Sequence, residues 1–193
     1  MNARDQQKER SHESILDSAA RLVRERGISG ARVAEVMKGA SLTVGGFYAH
    51  FPSKDALVDA ALQRTSATLR ERLFARLEEK PAQDRAEVIL KRYLSPAHRD
   101  DATLGCPLPA VVGEVGTLAP QHGEVVAGQV RALAGGLAQH LPARSRALAL
   151  GLVALMYGGL SLARAVRGTP LSDEVLRACR ALGAAALGKE QTR

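Results

Sequence analysis

The stretch Thr-Val-Gly-Gly-Phe-Tyr-Ala-His-Phe, Thr43 to Phe51, followed at once by Pro52-Ser53-Lys54, constrains this chain more than any other. Phe47 and Phe51 are four residues apart and share one face of a short helix, leaving Thr43, Val44, Tyr48 and His50 outside. Two of the chain's 3 Phe residues fall here, which predicts a small domain with its own core and an outward reading surface.

The residues before it fit that reading. From Ser11 to Arg26, Ile15, Ala19, Leu22 and Val23 line one face of an amphipathic helix, with Gly27 as its C-cap and residues 1–10 expected to fray. Val33, Val36 and Met37 share one side of a second short helix. Gly39-Ala40-Ser41-Leu42 then predicts a tight turn, with Thr43 as the next N-cap. Two short helices joined by a turn of about four residues, the second one exposed, make a helix-turn-helix. Ser53 is the expected N-cap of a longer helix carrying Leu57, Ala61, Leu69, Leu73 and Leu77, ended by Lys80-Pro81.

With 193 residues, 46% hydrophobic and 3% aromatic, and with no alternating run of branched or aromatic residues, the chain is expected to be all-α. The net charge of +7 favours an acidic partner, whether nucleic acid, an anionic membrane or an acidic protein. Between Ser18 and Lys54, six basic residues face two acidic ones, so the excess sits at the reading surface. Two distant cysteines and a polar N-terminus without an apolar signal core point to the cytoplasm. Residues 147–163 carry no charge, yet the run is short for a span and diluted by Gly151, Gly158, Gly159 and Ser161. It reads as a buried or subunit-interface helix, and no membrane partner is expected.

Further along, Ala86, Ile89, Leu90 and Tyr93 mark another helix, and Ser95 to Thr103 reads as the least structured interior segment. Cys106 opens a short helix from Pro107 to about Gly116, and Val126, Val130, Leu133 and Leu137 give another stripe. The last two helices, with Leu148, Leu152, Leu155, Gly159 and Leu162 in one and Val175, Cys179, Leu182 and Ala186 in the other, keep apolar surface beyond the needs of a core. They predict a homodimer built as a four-helix bundle from two subunits.

Ile15-Leu16-Asp17-Ser18-Ala19-Ala20-Arg21-Leu22, Arg26-Gly27, Val33-Ala34-Glu35-Val36-Met37 and Leu42 to Lys54 together resemble, in order and spacing, the TetR/AcrR family of bacterial transcriptional regulators. Beyond residue 57 only the helical layout and Gly105-Cys106-Pro107-Leu108 look familiar. The resemblance implies an N-terminal three-helix helix-turn-helix DNA-binding domain, residues 1–53, and a C-terminal helical ligand-binding and dimerisation domain, residues 54–193. It implies that Thr43 caps the recognition helix and touches DNA, that Tyr48 and His50 hold backbone phosphates, and that Lys54 contacts another. Each of these side chains donates hydrogen bonds, as phosphate contact requires. It also implies a small-molecule inducer that spreads the DNA-binding heads apart.

This chain departs from the pattern in places. Ala31 stands where Ser or Thr usually caps the second helix, so neighbouring Arg32 is the candidate to replace that phosphate contact or to read a base. Ser41 replaces a turn glycine. No Asn, Gln or Arg lies between Thr43 and Phe51, so recognition is expected to rest on methyl contacts from Thr43 and Val44, on Arg32 and on DNA shape. Gly45 and Gly46 suggest close backbone approach to DNA.

In the C-terminal part, Tyr93, His98, Cys106, His122 and Tyr157 are the few residues suited to orient a ligand in an apolar pocket. Cys106, before Pro107 at a helix start, is also a candidate sensor of oxidants or electrophiles, against the plainer reading of a buried packing cysteine. The five His residues form no metal-ligand spacing, and no nucleophile motif or phosphate-cradling loop appears, so neither an enzyme nor a bound cofactor is expected. The expected function is a ligand-responsive, sequence-specific transcriptional regulator, a repressor released from a double-stranded DNA operator by a small apolar or reactive inducer. The competing reading is a non-specific architectural DNA-binding protein.

Overall fold

The computed structural model describes residues 2–101 and 105–188, and among these every regular element is helical. The chain divides into two compact units, residues 1–67 with 106–126, and residues 68–105 with 127–193.

In the first unit, α1 runs Ala3–Gly30, α2 Val33–Gly39, a 3₁₀ helix Val44–Ala49, and α3 begins at Lys54; α6, Leu108–Thr117, belongs here too. The expected stripe of α1 is buried, Ile15, Ala19, Leu22 and Val23 together with Val36, Met37, Phe47 and Phe51. Where fraying was expected, Asn2 and Asp5 form a capping box, each side chain accepting the other's backbone N–H, and the helix starts at Ala3. Gly27 does not end α1. It kinks the helix with φ 71, and the chain continues helically to Gly30. The cause lies far along the sequence: the Glu114 carboxylate of α6 accepts the N–H groups of Ile28 and Ser29 and the Ser29 hydroxyl, at 3.1, 2.8 and 2.6 Å. These are donors that the kink would otherwise leave unpaired.

In the second unit lie the rest of α3, which ends at Phe74, α4 (Arg85–Tyr93), the short α5 (Pro96–Asp100), most of α7 (Gly123–Ala138), α8 (Arg146–Ala165) and α9 (Pro170–Ala186). Leu77 is buried as expected but sits in a 3₁₀ turn of its own, because Arg76 turns left-handed at φ 55 after α3 has ended. The segment expected to be least structured contains α5, whose N-cap Ser95 accepts the His98 N–H and whose first residue is Pro96. The end of that segment, residues 102–104, lies outside the described residues. The uncharged run falls in α8, whose buried face, Ala149, Leu152, Val153, Met156, Leu160 and Ala163, packs on α9.

Candidate nucleic-acid interface

The reading surface follows from two local effects. Apolar Phe47 and Phe51 turn inward with ring centroids 6.1 Å apart, and this leaves Val44 at 52% and Tyr48 at 76% exposure. Val44 and Tyr48, four residues apart on the outer side of this short helix, are thus both open to a partner. Tyr48 rests its ring edge-on against Phe47, centroids 5.2 Å apart, which fixes the ring and leaves the phenol outermost.

Thr43 occupies the N-cap position of the 3₁₀ helix in extended conformation, but its side chain makes no capping hydrogen bond. Thr43 is exposed, as is Ser53, whose hydroxyl does cap α3 by accepting the Ala56 N–H at 3.0 Å. Arg32 is the N-cap of α2, again without a side-chain bond, and Ala31 is buried as the last residue of the α1 turn. Arg32, Lys38 and Lys54 have no ion-pair partner among the described residues. Their charge is uncompensated where an anion would be met. Ser41 takes the left-handed φ of 58 that the missing turn glycine would adopt freely.

Burial, then the charges of His12 and Lys8, hold the His50 imidazole below its ordinary pKa. The ring is therefore neutral at pH 7, and its Nδ1 is buried without a hydrogen-bond partner. His12 stacks on Phe51, centroids 4.5 Å apart.

A Cβ added at Gly45 meets nothing within 4 Å, and one at Gly46 only the end of Met37. The fold itself therefore does not require Gly45. Gly45→Ala is expected to stabilise the free chain by about 0.5–1 kcal/mol through reduced unfolded-state freedom. If close approach to DNA is the reason for the glycine, the same substitution weakens DNA binding roughly tenfold. Melting temperature and Kd measured side by side check this; an unchanged Kd contradicts the close-approach argument.

The five residues considered for ligand contact do not behave alike. Tyr93, His98 and Tyr157 come together in the second unit, with Tyr93 centroids 4.6 Å from His98 and 5.8 Å from Tyr157. His98 also lines a cavity of about 320 Å³ with Leu69, Leu73, Ser95 and the guanidinium groups of Arg72 and Arg92. Cys106 and His122 belong to the first unit. There Cys106 is 1% exposed, and fully buried His122 donates from Nδ1 to Asp59 at 2.7 Å. Glu114 and Asp59 carry much of this unit's polar structure and escape sequence reading, since their partners lie more than 60 residues away.

Burial, with the Arg164 and Arg72 charges, pushes His98 down to about 4, against the pull of the Tyr93 carbonyl, which its Nδ1 meets at 2.7 Å, and of Asp101. The unfolded chain binds this proton near 6.5. Stability from neutral His98 is thus complete above pH 6.5 and is lost as pH falls to about 4, a loss of about 3 kcal/mol. Urea unfolding across pH 4 to 7 should show this slope and His98→Gln should flatten it.

The model for bacterial regulatory proteins of the tetR family matches residues 15–61. Among solved structures, a TetR transcriptional regulator from Chloroflexus aurantiacus is 26% identical and superposes with TM-score 0.78, covering 96% of this chain and 98% of that one. A TetR family regulator from Cytophaga hutchinsonii is 19% identical, TM-score 0.76, covering 97% and 98%. NemR from E. coli in its reduced form is 24% identical, TM-score 0.73, covering 88% and 94%. A search of curated proteins finds no match.

Proposed function

We propose that this chain, which belongs to the tetR family of bacterial regulatory proteins, is a cytoplasmic homodimeric repressor that leaves its operator when a small molecule binds. The observation that carries this reading is the exposed pair Val44 and Tyr48 held over buried Phe47 and Phe51, with Arg32 and Lys54 uncompensated nearby. Residues 1–53 contact DNA. Tyr48, His50 and Lys54 hold phosphates, Thr43 and Val44 touch base methyls, Gly45 admits the backbone closely, and Arg32 reads a base or a phosphate.

Residues 54–193 sense and pair. On α8, Gly151, Ala154, Gly158 and Leu162 recur along one exposed face, and on α9 Leu171, Ala178 and Leu182 do the same. Small residues let helices approach closely, so these faces suit a four-helix bundle with a second copy. The cavity beside His98, with a leucine wall and two guanidinium groups, suits a small apolar molecule that carries one polar or anionic group. Of the three clustered residues His98 lines the cavity and would orient it, with Tyr93 packed edge-on against the His98 ring and Tyr157 beyond. The burial of Cys106 favours packing over sensing. Inducer acts by population shift, binding more tightly to the form whose two heads no longer match the operator.

Selection of bound sequences from a random duplex pool tests the reading. A single near-palindromic motif is expected. Recovery without any sequence preference would instead identify an architectural DNA-binding protein.

A further inference from the structure

Between the first turns of α1 and the end of the 3₁₀ helix lies a groove of about 690 Å³, lined by Arg4, Gln7, Lys8, Ser11, Ala49 and His50, with the capping pair Asn2 and Asp5 at one end. Arg4, Lys8 and Ser11 stand at i, i+4 and i+7, one stripe of the helix. Glu13 and Asp17 lie on another side, where Arg64 pairs with both, and the Asp5 carboxylate at the groove's end accepts the Asn2 N–H. Neither Arg4 nor Lys8 has an ion-pair partner among the described residues. The helix N-terminus is already satisfied by the Asn2–Asp5 capping box, so the positive character of the groove comes from side chains.

His50 closes one edge of the groove, with its Nδ1 buried and unpartnered. Its imidazole is disfavoured as a cation in part by Lys8, a repulsion that a negative group would relieve.

We propose that this groove is a second DNA-backbone site, in which Arg4 and Lys8 hold phosphates next to the one held by His50. The first turns of α1 then extend the footprint of the head outward along the strand. The contact is electrostatic and carries no sequence information of its own. This inference rests on the DNA-binding reading above, and the test keeps the two apart.

Affinity for the selected operator is measured over a range of salt for the full chain, for Arg4→Ala with Lys8→Ala, and for Arg10→Ala, a cation on the same helix that bonds Gln7 at 3.1 Å and lies off the stripe. Each of the two heads on the operator loses two phosphate contacts, so the double variant is expected to flatten the log–log salt slope by about 4. It should bind roughly 10- to 100-fold more weakly, with an unchanged selected motif and unchanged melting temperature. Arg10→Ala should leave the slope alone. An unchanged slope in the double variant, or an equal loss with Arg10→Ala, overturns the groove's assignment while leaving the DNA-binding reading intact. A full chain that binds no selected operator overturns both.

Discussion

Replacing Leu162 and Leu182 together by Glu is expected to leave each subunit folded, to convert the dimer to monomer, and to weaken operator binding by about 10²- to 10⁴-fold. The two side chains are 59% and 62% exposed, so the substitution disturbs little within one chain. In a bundle of two subunits they are covered, and four carboxylates forced together there have no counter-charge. The loss in DNA binding comes from linkage: a dimer engages the second half-site at high effective concentration, and a monomer must bind each alone. Sedimentation and DNA titration of the same preparation check both statements. A variant that remains dimeric would place the interface elsewhere.

Gly27→Ala is expected to destabilise the DNA-binding unit by about 3–5 kcal/mol. Its φ of 71 lies in the left-handed region, which costs a residue with a Cβ about 1–2 kcal/mol. The added methyl would also overlap the Glu114 carboxylate, which cannot withdraw without abandoning its bonds to Ile28 and Ser29. Hydrogen bonds to a charged acceptor contribute about 1.5–3 kcal/mol each. Chemical unfolding should show the drop. Adding Glu114→Ala should restore little, since it relieves the overlap but leaves the N–H groups unpaired.

How much of this was legible in the sequence depends on whether the determinant was local. The four-residue spacing of Phe47 and Phe51 and the cap at Ser53 fixed the helix-turn-helix, and the stripe from Ile15 to Val23 fixed its supporting helix. Leu57, Ala61, Leu69, Leu73 and Leu77 are all buried as their spacing implied.

Long-range polar contacts left no such trace. Nothing near Gly27 announces Glu114, so the local sequence implies a helix end where the structure has a kink. Two local signals were present but outweighed: Asn2 with Asp5 is a capping box inside a segment polar enough to read as frayed, and Ser95-Pro96 starts a helix inside a segment read as loop. For the site, exposure of Val44 and Tyr48 followed from the spacing, whereas Arg4 and Lys8 did not, because their role depends on α1 reaching back beside His50.

The most direct test of the central claim is a footprint of the full chain on the DNA flanking its own gene, taken over a range of salt. The account predicts a short symmetric protected site that persists as salt rises, with two half-sites whose centres lie roughly one helical turn, about 34 to 36 Å, or a multiple of it apart. Diffuse protection without boundaries, lost uniformly with added salt, would contradict it.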